Sequence, residues 1–220
     1  MIKVLKPGLA TSVQVLGREG YYHLGIPPSG ALDQYALSAA NHLVGNPAGA
    51  AGLECTLIGP QLEFQQDALV ALSGALMSPR LDGEVVHQDT AFQVRAGQVL
   101  RFEFPVAGAR TYLAVAGGID VPLVLGSRST YTLGALGGFH GRRLQEGDVL
   151  PIGETRGEGR AGNSLPMALR RSVGGDVTLR VVPGLYYERL TAAAKSSFFA
   201  EPWTVGSEAD RIGYRFKGGS

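Results

Sequence analysis

Apolar residues along this chain come in short runs that stop at turn residues. Val13-Gln14-Val15-Leu16 ends at Gly17, Leu69-Val70-Ala71-Leu72 at Ser73-Gly74, and Phe92-Gln93-Val94 just before Ala96-Gly97. Val99 to Phe104 runs up to Pro105, Thr111 to Ala116 up to Gly117-Gly118, and Val177 to Val182 up to Pro183-Gly184. Short runs bounded by Gly and Pro predict strands joined by tight turns. In Val99–Phe104 and Val177–Val182 the alternation turns Arg101, Glu103, Thr178 and Arg180 outward, as in half-buried strands. Ala96-Gly97-Gln98-Val99-Leu100 is echoed by Glu146-Gly147-Asp148-Val149-Leu150, as if one hairpin type were used twice. The pattern predicts a mainly β protein with a few helices and a barrel-like layout.

Two segments change period. Leu32, Tyr35, Ala36, Ala39, Ala40 and Leu43 follow helical spacing and predict a helix over 30–44. Ser29 is its expected N-cap and Gly45-Asn46-Pro47 its stop. Tyr187, Leu190, Ala194 and Phe198 predict a second helix within Tyr186–Phe199, packing one face on the sheet. Gly153 to Arg171 is polar, glycine-rich and aperiodic. The expected organisation is therefore a β-rich subdomain over 1–152, a linker or mobile loop over 153–171, and the start of a second, barrel-type subdomain over 172–220.

Charge narrows the partners. Twenty Lys plus Arg against 19 Asp plus Glu give a net charge of +1, which supplies no electrostatic attraction to nucleic acid or an anionic membrane. The lone cysteine, Cys55, excludes an internal disulfide and a thiolate zinc site. The first residues lack the apolar core of a signal peptide, and no run approaches the ~18 apolar residues of a membrane span. The expected compartment is the cytoplasm. Glycine, at 32 of 220 residues, is about twice the usual share of roughly 7%. Sixteen of the 20 basic residues are arginine, through codon bias or as planar forks for carboxylate or phosphate.

Candidate chemistry lies in three segments. No phosphate-binding P-loop, dinucleotide fingerprint or H-E-x-x-H motif is present. His23, His42, His87 and His140 have no ligand spacing, so no metal site is expected. Gly25-Ile26-Pro27-Pro28-Ser29-Gly30-Ala31-Leu32-Asp33 leads into the first helix. Its amides, with Ser29, Gly30 and Asp33, fit either an anionic substrate group or a rigid loop-to-helix corner. The second segment, Gly117 to Arg143, carries seven glycines and the string Ser127-Arg128-Ser129-Thr130, followed by Arg142. Hydroxyls around a guanidinium suit a carboxylate, carbamate or phosphate, or simply satisfy their own turns. In the third, Asp210 to Phe216, strand alternation would put Arg211 and Arg215 on one face and Tyr214 on the other.

Taken in order, these segments resemble a known family. Pro28-Ser29-Gly30-Ala31-Leu32-Asp33-Gln34-Tyr35-Ala36 and Ala40-Asn41-His42-Leu43-Val44-Gly45-Asn46-Pro47 are similar to the opening signature of the biotin-dependent carboxyltransferase family. Leu53-Glu54 with Gly59-Pro60, Gly117-Gly118-Ile119-Asp120-Val121-Pro122 and Leu125-Gly126-Ser127-Arg128-Ser129-Thr130-Tyr131 match as well. So do Gly141-Arg142 with Gly147-Asp148, and Asp210-Arg211-Ile212-Gly213-Tyr214-Arg215. The family includes KipA-like proteins, the C subunit of bacterial 5-oxoprolinase and the matching region of urea carboxylase (urea amidolyase). Three differences stand out. Family members run on by roughly a further third, which implies a C-terminally truncated chain. Gly184-Leu185-Tyr186 replaces the usual Gly-Pro-Gln, and Pro28 stands where arginine is common.

The resemblance implies a cyclophilin-like β-barrel and a set of partners. With no biotin-carrier motif and no fused amidase, the chain is expected to be the C subunit of an ATP-dependent 5-oxoprolinase. It would cleave 5-oxoproline to L-glutamate with the A subunit and the KipI-like B subunit, and be inactive without them. The implied cofactor is ATP, with magnesium, and no biotin is held covalently on this chain. Arg128, Ser127 and Asp33 would be catalytic, with Ser29, Gly30, Ser129, Thr130 and Arg142 binding the small-molecule substrate. Arg211, Tyr214 and Arg215 would face the nucleotide or a partner. The alternatives are a carboxyltransferase component acting on urea or a related amide, and a KipA-like regulator that binds a KipI-like kinase inhibitor.

Overall fold

Most of the short apolar runs form strands. In chain order these are β1 (Ile2–Lys6), β2 (Ser12–Gln14), β3 (Gly52–Thr56), β4 (Gln61–Phe64), β5 (Ala68–Leu76), β6 (Arg80–Leu81) and β7 (Glu84–Val85). They continue with β8 (Phe92–Val94), β9 (Val99–Arg101), β10 (Ala107–Val115) and β11 (Val149–Leu150). The computed structural model describes residues 1–218. It divides the chain into two units, Met1–Gly174 and Gly175–Ser220.

The first unit holds two antiparallel sheets, ordered β11-β1-β4-β9-β6-β7 and β2-β3-β10-β5-β8. The inner face of each contributes to one core, where Ile2, Val4, Leu62, Phe64 and Leu100 meet Leu53, Cys55, Leu72 and Leu113. All nine are fully buried. The fold is mainly β, as expected, but both sheets keep free ends, so the barrel does not close into a ring. The Cys55 thiol lies in this core, where burial pushes its pKa up. The expected strand Val99–Phe104 is shortened to β9, because Glu103 and Val106 pair instead with Met77 and Leu76 at the end of β5.

The last residues of β10 are buried on both faces, because the outer face of its sheet carries a helix. This is α1 (Gln34–Leu43), whose Ala36, Leu37, Ala39, Ala40 and Leu43 are buried. Alanines meet alanines here, at Ala39, Ala40, Ala71, Ala114 and Ala116, so helix and sheet approach closely. The helix starts later than the apolar stripe predicts, and its N-cap is Asp33 rather than Ser29. Ser29 and Gly30 both have left-handed backbone, with φ of 55° and 85°. That turn runs the chain back beside the end of β2, where Arg18 N donates to Pro28 O and Ala31 N to Val15 O. A Cβ on Gly30 would lie 2.6 Å from Leu16 O, so glycine is required there. The Asp33 carboxylate accepts from Ala36 N at 2.9 Å, a stabilising N-cap bond.

After α1, buried Asn41 donates to Ala48 O and Ala50 O, and Asn46 donates to Asn41 and Val115 O. These bonds fix the Gly45-Asn46-Pro47 turn. The segment expected to be a linker, 153–171, lies along the first unit. Ala91 N donates to Asn163 O, Gly162 N to Ala91 O and Leu165 N to Asp89 O. Leu165 is buried there.

The second unit contains α2 (Ala192–Ala200), capped by Thr191, and a two-stranded pair, β12 (Thr204–Val205) with β13 (Phe216–Lys217). The helix is shorter than the predicted Tyr186–Phe199. Leu190 is extended, with ψ of 141°, and separates α2 from a short 3₁₀ turn over Tyr187–Arg189. Val177–Val182, expected as a strand, forms none, since no ladder partner pairs with it among the described residues. None of this unit's described residues is buried.

Candidate functional site

The glycine-rich arc from Gly117 to Arg143 folds around β2. Ser127 Oγ donates to Gly17 O at 2.9 Å, Ser129 Oγ accepts from Val15 N at 3.2 Å, and Thr130 Oγ1 donates to Val13 O at 2.8 Å. All three residues are buried. Their hydroxyls satisfy the backbone of a strand end that would otherwise bury unpaired polar groups. These are the hydroxyls expected to serve a substrate, and here each has a backbone partner within the chain. Arg142 is also engaged. It grips Asp148 through two bonds of 2.8 Å, which raise its own pKa and hold the Asp148 carboxyl below the usual carboxylate range. Such a fork-to-carboxylate pair leaves little of the guanidinium for a ligand.

The glycines of the arc are needed for contact rather than for open amides. A Cβ on Gly138 (φ 53°) would lie 1.9 Å from Thr130 Oγ1, and one on Gly137 (φ 65°) 2.2 Å from Ser129 O. Beneath them Arg18, which the sequence pattern did not single out, is buried. Its Nε donates to Val124 O and its NH2 to Ser129 O, and burial lowers its pKa. Arg128 is half-buried; it donates to Val121 O at 2.6 Å and to Asp120 at 3.1 Å. Asp120 and Val121 belong to the wall of a 290 Å³ cavity that Phe139, His140 and the glycines Gly137, Gly138 and Gly141 complete.

At the start of α1 the amides do meet an anion, and it is the protein's own. Leu32 N donates to Glu54 Oε2 at 3.1 Å, and Asp33 N to the Tyr112 hydroxyl at 2.9 Å. Tyr112 in turn donates to Glu54 at 2.8 Å. Glu54 and Tyr112 face each other across β3 and β10, and both are buried. Burial and the nearby Glu54 charge push the Tyr112 pKa up, so the phenol remains a donor. Arg110 approaches Glu54 at 3.8 Å. The loop-to-helix corner is thus rigid and internally satisfied. Ser29 and Gly30 shape it through their left-handed backbone.

Continuing along the same row, Tyr112 pairs with Ser73 on β5. Ser73 Oγ donates to Asp89 Oδ1 at 2.6 Å. Asp89 has a left-handed backbone (φ 55°), held by Asp89 N donating to Leu72 O and by Leu165 N donating to Asp89 O. A non-glycine residue held this way stores on the order of 1–3 kcal/mol of strain, and such residues cluster at functional sites. β10 also shifts register between Ala107 and Thr111, beside Gly74. Above this floor lie Arg170 and Arg171. Asp33, Tyr35, Ser73, Asp89, Arg170 and Arg171 surround a 20 Å³ void. Asp89, Arg170 and Arg171 also line a 580 Å³ groove that extends to His87 and Gln88.

Of the sequence-derived site residues, Asp33 borders the 20 Å³ void, and Arg128 and Arg142 lie on the arc. In the second unit, Asp210 to Gly213 is a turn rather than a strand, with Ile212 N and Gly213 N donating to the Asp210 carboxylate. Arg211, Tyr214 and Arg215 therefore do not show the expected strand alternation. Ser73, Asp89, Arg110 and Tyr112 were not apparent from sequence. A signal existed in Ser73, Glu54 and Tyr112, polar groups set inside otherwise apolar strands. Among the described residues no group of three His, Cys, Asp or Glu side chains could hold a metal ion, and no helix is long and apolar enough to cross a membrane.

Residues 24–220 match the family described as carboxyltransferase domain, subdomain A and B. The chain is 41% identical over 218 residues to the C subunit of 5-oxoprolinase from Escherichia coli (strain K12), spanning 99% of this chain and 69% of that one. The crystal structure of the K. lactis urea amidolyase superposes with a TM-score of 0.84 at 34% identity, over 99% of this chain and 14% of that one. The structure of TTHA0988 does so with a TM-score of 0.86 at 35% identity, over 99% and 78%.

Proposed function

The chain belongs to the carboxyltransferase domain family, and on that premise we propose that it works as the C subunit of an ATP-dependent 5-oxoprolinase. In this reading it acts in the cytoplasm with the A and B subunits to open the lactam of 5-oxoproline to L-glutamate. The observation that carries the reading is the 41% identity to a 5-oxoprolinase C subunit, held over 99% of this chain. The geometry supports a binding role. A groove with an acidic, hydrogen-bonded floor and two arginines above it can receive a small polar, anionic molecule.

ATP and magnesium belong to the reaction of the assembled enzyme. Of the group expected to meet carboxylate or phosphate, Ser127, Ser129 and Thr130 bond to the backbone of β2 and its continuation, and Arg128 to Val121 O and Asp120, which favours the groove as the place where the substrate binds. What this chain's first unit supplies is substrate binding and orientation, which lower the barrier by holding reactants in a productive pose. A second reading, a carboxyltransferase acting on urea, is supported by the superposition on the urea amidolyase, at the lower identity of 34%. The test is glutamate release from 5-oxoproline and ATP by the purified A and B subunits, with and without the full chain. Release that requires the chain is expected. No release, with carboxyl transfer from carboxybiotin to urea, would favour the second reading.

A further inference from the structure

Arginines elsewhere in the first unit are largely committed. Arg80, Arg95, Arg128 and Arg142 are paired with carboxylates at 2.7–3.1 Å. Arg171 differs. Its guanidinium stacks on the Tyr35 ring, 3.9 Å from the centroid, and no hydrogen-bond or carboxylate partner engages it among the described residues. Tyr35 is itself fixed, because its hydroxyl donates to Leu169 O. Stacking orients the planar fork while leaving its edge N–H groups unused. Arg170 beside it is pinned by Leu165 O and Ser164 Oγ.

The other wall offers the complementary group. Asp89 uses Oδ1 for Ser73, while Oδ2 has no hydrogen-bond donor among the described residues. The groove between them also has apolar walls, from Leu76, Val86 and Val106. Its 580 Å³ falls within the ~300–1,000 Å³ of small-molecule sites, which combine apolar lining with a few placed polar groups.

We propose that this groove is the lactam subsite, and that it selects a small ring bearing a carboxylate next to a ring N–H. Arg171 receives the carboxylate, Asp89 Oδ2 accepts the ring N–H, and the apolar wall covers the ring methylenes. This rests on the oxoprolinase reading for the identity of the substrate, and it assigns binding residues that lie outside the glycine-rich arc.

The test is calorimetric titration of the full chain with 5-oxoproline, 2-pyrrolidinone (which lacks the carboxylate) and N-methyl-5-oxoproline (which lacks the N–H). The chain should bind 5-oxoproline saturably, and Arg171→Ala and Asp89→Asn should each weaken it by about 10- to 100-fold, as for a lost charge-assisted hydrogen bond. Asn at 89 keeps the acceptor for Ser73, so the melting temperature should change little. Arg171→Ala should leave the weak 2-pyrrolidinone affinity unchanged, and Asp89→Asn should abolish the preference for 5-oxoproline over its N-methyl form. Absence of binding, or variants that bind all three ligands as the unmodified chain does, would overturn the subsite. Glutamate release with the partner subunits that persists unchanged in both variants would also overturn it while leaving the oxoprolinase reading standing. Binding with this selectivity but no glutamate release would do the reverse.

Discussion

The glycine-rich arc and the groove over β5 and β10 both contain arginines, hydroxyls and carboxylates, but they use them differently. In the arc, Ser127, Ser129 and Thr130 turn inward onto the backbone of β2 and its continuation, and Arg142 locks Asp148. In the groove, the Ser73–Asp89 pair leaves one carboxylate oxygen over, and Arg171 rests on an aromatic face with its donors unused. The same residue types are structural in one place and open to a ligand in the other. A motif dense in polar residues is thus evidence of function only after its internal partners are counted.

That contrast can be broken first at its foundation. Glu54 is buried beneath the helix start, accepts from Tyr112 and Leu32 N, and lies 3.8 Å from Arg110. Glu54→Ala should destabilise the first unit by about 3–5 kcal/mol, the cost of stranding a buried partner charge, as read by urea denaturation. Next comes the arc. Gly138→Ala, with its Cβ 1.9 Å from Thr130 Oγ1, should cost ~1–3 kcal/mol through strain and overpacking. Unchanged stability would mean that the arc is looser than these contacts require and its hydroxyls free to turn outward.

A smaller effect sharpens the role of Arg142. The Asp148 carboxyl is held below its ordinary value, chiefly by hydrogen bonds from Arg142. Because the folded pKa is the lower one, this stabilisation is complete above the unfolded value of about 3.9 and is lost as pH falls through the folded value. Asp148→Asn should therefore lower the melting temperature near neutral pH and flatten its decline below about pH 4. A parallel decline in both proteins would remove the pair from the acid response.

Particular residues show how much was legible in the sequence. Phe92–Val94 is the strand its pattern predicts, and Thr111–Ala116 lies almost wholly within β10, because period and turn residues are local signals. The start of α1 differs by a few residues, because Ser29 and Gly30 are left-handed for a tertiary reason, the close passage of Leu16 and Gly17. The apparent linker over 153–171 reads as mobile because it is polar, yet its backbone bonds to Ala91 and Asp89. Asp33 was legible as a carboxylate near the helix start, but not as the cap, which the sequence put at Ser29. Asp89 and Arg171 were not legible, since 82 positions separate them and it is tertiary pairing, of the Asp89–Ala91 backbone with 162–165, that brings these segments together.

The most direct test of the contrast is steady-state glutamate release by the three-subunit assembly carrying Arg171→Ala or Arg128→Ala. Arg171→Ala is expected to raise KM for 5-oxoproline by about 10-fold or more, while Arg128→Ala, whose guanidinium already serves Val121 O and Asp120, changes it far less. The opposite order, with Arg128→Ala the more damaging, would return the substrate site to the arc and contradict the groove.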